Sequence, residues 1–215
     1  MNTYFREPVN GITHLIGAIL SIIGSIALLS KTLSNDPSII NLVAVSIFGI
    51  SLILLYTASA VYHLVISSDD VINYLRRVDH AMIFLLIAGS YTPFCLIALD
   101  NSIGWSLFSL ISLTAIIGIG FKLFWFKCPR WLSTSIYVVM GWVAIFLIKP
   151  LNASLSSEGL SLLILGGILY TIGAIIYATK PKFIKSKYFG FHEVFHIFIM
   201  LGSLAHFICV YIYVI

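Results

Sequence analysis

Charge is scarce in this chain. Only 9% of its 215 residues are Asp, Glu, Lys or Arg, against about a quarter in a typical soluble domain. That leaves too little ionic surface to keep a globule of this size in water. Cysteine is scarce as well: Cys95, Cys128 and Cys209 lie far apart with no CxxC pair, which excludes a disulfide framework and a cysteine metal cage. Two of the three fall inside apolar runs and read as packing residues. Long loops, internal repeats and low-complexity segments are missing too, so no second domain is expected. The net charge of +4 does not point to nucleic acid, because the basic residues sit between apolar runs instead of forming a stripe on a folded face.

What fills the chain is apolar sequence, 60% of all residues. Apolar runs recur at about 12–30, 39–67, 80–99, 102–121, 132–148, 160–179 and 191–214. Each is long enough to cross about 30 Å of hydrocarbon as a helix. The expected fold is therefore all-α: residues 1–215 form a single integral membrane domain, a seven-helix transmembrane bundle in the cell membrane. The first run follows Arg6 like a signal peptide, but no small-x-small cleavage site precedes Lys31, so it reads as a retained helix. The breaks between runs carry turn residues, among them Ser34-Asn35-Asp36-Pro37, Ser67-Ser68-Asp69-Asp70 and Asp100-Asn101-Ser102.

Basic residues fix the expected orientation. Arg6, then Arg76 and Arg77, then Lys122, Lys127 and Arg130, then Lys180, Lys182, Lys185 and Lys187 make ten on one side. Lys31 and Lys149 are the two on the other. Positive charge stays inside, so the N-terminus is expected in the cytoplasm and the C-terminus outside.

Ionisable groups inside spans are candidates for function. On this topology His14, His63, His80, His192 and His196 all lie toward the cytoplasmic face, and His206 alone lies deeper. His192 and His196 are four residues apart, about 40° in azimuth and about 6 Å along a helix, which is chelating geometry. A catalytic zinc takes three protein ligands, and His63 at the same depth is the best third. His206, about 15 Å higher, cannot share the ion and reads as a helix-packing hydrogen-bonder.

Asp79, placed just before helix 3, would orient or deprotonate a water beside the metal; equally it would serve as an N-cap. Ser59, four residues before His63, would bond that water or a substrate carbonyl, or merely satisfy a backbone carbonyl of its own helix. Glu7, Asn10 and His14 share one face of a helix whose first position is Pro8, either facing the polar pocket or capping a helix start. His80, opening helix 3, and Glu193 complete the pocket candidates. The run His192-Glu193-Val194-Phe195-His196 also matches the H-E-x-x-H pattern of zinc proteases, with Glu193 as base, but the longer metzincin pattern fails at Ile199.

Taken in order, Glu7-x-x-Asn10-x-x-x-His14, Ser59-x-x-x-His63 with Asp79, and His192-x-x-x-His196 resemble the signature of the hemolysin III and progestin–adipoQ receptor family, which includes the adiponectin receptors. Arg77-Val78-Asp79-His80, Ser90-Tyr91-Thr92-Pro93 and Tyr170-Thr171-x-Gly173-Ala174 are similar to the bacterial hemolysin III branch. The resemblance implies a seven-helix bundle with Zn2+ held by His63, His192 and His196 and with Asp79 and Ser59 nearby. It also implies kinship with membrane hydrolases such as alkaline ceramidases. Three functions are then open: a zinc-dependent hydrolase of lipid amides or esters taken from the bilayer, a receptor-like regulator of membrane state with structural zinc, and a cytolytic (haemolytic) membrane protein. The expected partners are membrane lipids, with no nucleic acid.

Overall fold

The computed structural model describes residues 4–125, 128–181, 184 and 190–215. Among these, seven helices are long and apolar enough to cross a membrane: α1 (Pro8–Asn35), α2 (Ile39–Leu64), α3 (Asp69–Ala98), α4 (Ser102–Phe124), α5 (Arg130–Ser154), α6 (Ser157–Thr179) and α7 (Phe191–Val214). The chain is a multi-pass, all-helical membrane protein. Lys127, Lys182, Lys185 and Lys187, counted above for the charge asymmetry, lie outside the described residues.

Local chemistry accounts for most helix boundaries. Pro8 occupies the first turn of α1, where its missing N–H goes unneeded. Ser38, Asn101 and Ser156 cap α2, α4 and α6, each side chain accepting from the backbone two or three residues on. Asp100 and Lys180 take positive φ, 33° and 49°, where the chain turns after α3 and α6.

Helix 3 corrects the sequence reading. It starts at Asp69, not near residue 80, with Ser68 as its N-cap residue. Asp79 and His80 are thus internal residues about three turns into α3, so Asp79 is not an N-cap and His80 does not open the helix. Asp69, Asp70, Arg76 and Arg77 mask these first turns from an apolar-run reading, yet two aspartates suit the positive end of the helix dipole. Similarly α5 runs past Pro150 to Ser154, with a tightened 3-10 stretch at Val143–Leu147. Pro150 cannot donate to the carbonyl four residues earlier, and the preceding turn adjusts. Pro93 has the same effect in α3, followed by a wide π-type turn at Phe94–Ala98.

Sequential neighbours α1–α2, α2–α3, α3–α4 and α6–α7 pack pairwise, and α7 closes back against α1. Helices α2 and α3 form the centre, with 50% and 61% of their most apolar windows buried against 17–28% in the others. Phe48, Leu52 and Leu55 of α2 meet Leu86 and Phe94 of α3 there. The outer faces carry exposed Ile26, Ile116, Ile117, Val139 and Phe146, a surface that suits lipid and not water. At one end of α1 the Arg6 N–H donates to Leu64 O; at the other, Asn35 donates to the backbone of Ile215. The two termini therefore lie at opposite ends of the bundle.

Candidate metal centre

The end of the bundle that holds the N-terminus collects imidazoles from three helices. His63 comes from the last turn of α2, His192 and His196 from the first two turns of α7, and His14 from the second turn of α1. One ring nitrogen of each of His63, His192 and His196 lies within 4.8 Å of the others, close enough for one metal ion. The Nε2 atoms of His63 and His192 are 3.4 Å apart. Either a hydrogen bond from His192 Nε2–H to His63 Nε2 or a shared cation satisfies this contact. His63 and His196 are 1% and 2% exposed.

Glu7 fixes the outer nitrogen of His63. Its Oε2 lies 2.5 Å from His63 Nδ1, so Nδ1–H donates to the carboxylate and Nε2 is left as the ligating atom, the usual carboxylate–histidine–metal arrangement. The hydrogen bond with His63 is the main reason that the Glu7 carboxyl is held below the ordinary carboxylate range. The segment is pinned further by Glu7 N–H to His63 O at 2.9 Å and by the Arg6 guanidinium over the Tyr62 ring at 4.3 Å.

Asn10 donates to Glu193 Oε1 at 2.9 Å, and Gly190 N–H donates to the other oxygen at 2.8 Å. Glu193 thereby caps α7 and ties it to α1. Both oxygens are engaged and Glu193 stands outside the ligand cluster, which removes the geometric basis for a protease-type base at this position. His14 stacks on His196 with ring centroids 3.6 Å apart and planes 9° from parallel. Among the described residues neither of its ring nitrogens has a hydrogen-bond partner.

Asp79 and Ser59 line the same cavity as His14, His192 and His196. Asp79 Oδ2 is 3.1 Å from His80 Nδ1, and His80 Nε2 is 3.0 Å from the Tyr177 hydroxyl. A chain of polar groups thus runs from the site to α6. Sequence reasoning missed Tyr177, Tyr170 and Tyr56. The signal was helical spacing: Tyr170 and Tyr177 are seven residues apart on α6, and Tyr56, Ser59 and His63 fall at i, i+3 and i+7 on α2.

The three signature blocks therefore converge at one end of a seven-helix membrane bundle, and the profile of the family described as Haemolysin-III related matches residues 2–207. The chain belongs to this family. It is 42% identical to the Hemolysin-3 homolog of Bacillus subtilis (strain 168) over 213 residues, covering 99% of this chain and 96% of that one. It is 41% identical to Hemolysin-3 of Bacillus cereus over 215 residues, covering 100% of this chain and 94% of that one. The bacterial branch inferred from the motifs is the one these relatives occupy. The three cysteines are free, as their spacing implied, with Cys209 donating to Gly159 O.

The cavity below the histidines has a volume of about 190 Å³. Its walls are mostly apolar and come chiefly from α2, α3, α5, α6 and α7, including Leu86, Ile87 and Leu151, with His14 of α1 and Leu107 of α4. Ile145 and Ile164 line it on α5 and α6 and are 49% and 37% exposed.

Proposed function

We propose that this protein is a zinc-dependent hydrolase of lipid amides or esters, with its site at the cytoplasmic end of the bundle. The observation that carries the reading is the juxtaposition of three clustered imidazoles, the Asp79 carboxylate and the Ser59 hydroxyl at the head of an apolar cavity. His63, His192 and His196 would hold the ion, and three imidazoles with a position left for water match a catalytic zinc donor set. Bound zinc supplies Lewis acidity, which polarises a carbonyl and acidifies water.

The chain's own groups supply the rest. Asp79 takes the proton of the attacking water and passes it to the leaving amine or alcohol as the carbonyl–heteroatom bond breaks. His80, held by Tyr177, orients that carboxylate. Ser59 donates to the carbonyl oxygen. The apolar wall excludes bulk water and takes the acyl chain, which enters from the bilayer between α5 and α6.

The test is lipid turnover by detergent-purified protein against a panel of long-chain amides and esters. Wild type hydrolyses at least one class. Asp79→Ala lowers its rate by about 10²–10⁴-fold, and His192→Ala abolishes it while the fold is retained. Turnover unchanged by both substitutions would sink the proposal.

A second reading makes zinc structural in a receptor-like regulator of membrane state, and the bridging of α2 to α7 by the ligand set favours it. Chelation that melts the fold, with no lipid ever hydrolysed, decides for it. Cytolysis, which the names of the two relatives suggest, has less physical support, because a secreted pore-former needs a water-soluble state that seven apolar spans do not supply. Haemoglobin release by purified wild-type protein, lost on a point change in the bundle interior, would establish it.

A further inference from the structure

At the far end of the same cavity lie two buried polar side chains whose hydrogen-bonding capacity the described residues do not fill. His206 and Ser90 both line it, and they are 9% and 6% exposed. Among the described residues His206 Nδ1 has no hydrogen-bond partner, and Ser90 Oγ meets none in good geometry, although it faces the Tyr170 hydroxyl. Groups so placed in hydrocarbon are destabilising unless something answers them. The Tyr170 hydroxyl, which Ser90 faces, is held together with that of Tyr56 by Ser203 Oγ, at 2.8 and 2.7 Å.

The orientation of His206 is set by α6. Its Nε2 lies 3.2 Å from Leu163 O, so Nε2 carries the proton and Nδ1 is left as an acceptor. The Cδ2–Nε2 edge lies against Gly166, where a Cβ would come within 2.2 Å of Cδ2. Nδ1 therefore turns away from α6. An acceptor from His206 and a donor from Ser90 together match one hydroxyl group, which both gives and takes a proton.

Two helices give the same depth for this pair. His206 follows His196 by ten residues on α7, a rise of about 15 Å, and Ser90 follows Asp79 by eleven on α3, a rise of about 16 Å. That span is on the order of a dozen extended methylene carbons. Resting on the lipid-hydrolase reading of the cavity, we propose that Ser90 and His206 form a second subsite that selects acyl chains bearing a mid-chain hydroxyl, roughly a dozen carbons from the carbonyl held at the histidine cluster.

Methyl ketones of one long alkyl chain test this, since they offer the carbonyl without a cleavable bond. Three would be compared by competition with a fluorescent long-chain ketone on full-length protein in nanodiscs: unsubstituted, hydroxylated at about the twelfth carbon, and hydroxylated at about the sixth. The twelfth-carbon alcohol should bind wild type about tenfold more tightly than either other ketone, the worth of one well-met buried hydroxyl. Ser90→Ala removes one hydroxyl beside Tyr170, whose bond to Ser203 remains, so it should fold, erase this preference and leave the affinity of the unsubstituted ketone unchanged. His206→Phe should erase it too. Equal binding of all three ketones to wild type overturns the subsite while the cavity reading stands, and the two groups then hold a water only. If no ketone binds at all, the lipid cavity fails and the subsite with it.

Discussion

Each histidine of the candidate metal centre has a different partner, and the differences assign different expected effects. His63 is oriented by Glu7, so Glu7→Gln should leave the three imidazoles in place but weaken metal binding about 10–100-fold. His63→Ala and His192→Ala remove a ligand outright. Elemental analysis of detergent-purified protein should find about one zinc per chain in wild type, less in Glu7→Gln after dialysis against a weak chelator, and none in the two alanine variants. A folded wild type without metal would leave the cluster as a packing and proton-handling group. His14 is legible in the sequence as one of a face of three with Glu7 and Asn10, but its stacking on His196 is not. Two side chains far apart in sequence meet there only because α7 closes against α1.

Among the helices, the close approaches are made where a side chain is missing. A Cβ on Gly104 would fall 2.1 Å from the backbone carbonyl oxygen of Cys95, so α4 can leave the turn after α3 only with glycine at that place. Gly120, on the same helix, has open space beside it. Gly104→Ala should lower the melting temperature in detergent, at a loss of about 1–3 kcal/mol. Gly120→Ala should be neutral or slightly stabilising, since alanine is the better helix former. Equal melting of the two variants would show that α3 and α4 do not pack as described. The start of α3 carries the opposite lesson. Four charged residues in its first turns hid them from a reading based on apolar runs, although serine followed by two aspartates is itself a helix-start pattern.

For the whole molecule, the charge asymmetry predicts which end faces the cytoplasm, and the site lies at the end that holds the N-terminus. Alkaline phosphatase fused after Ile215 should be active and a fluorescent protein fused there dark, because the first matures only outside and the second only inside. The reverse result would turn the bundle over and put the histidine cluster at the outer face. It would leave the cluster's chemistry intact while changing the compartment from which its water and leaving groups exchange.

Seven spans, the N-terminal end as the place of the polar residues, and the pairing of His192 with His196 all follow from local quantities: apolar length, helical period and the positions of lysine and arginine. Composition alone excludes a soluble fold. Which helices neighbour one another does not follow, because every span is apolar on its outer face and hydropathy does not distinguish a lipid neighbour from a helix neighbour. Only the tertiary structure brings Glu7 to His63, commits Glu193 to Asn10 and the start of α7, and brings Ser90 and His206 to one cavity. Those contacts join residues far apart in the chain, and packing decides them where periodicity is silent.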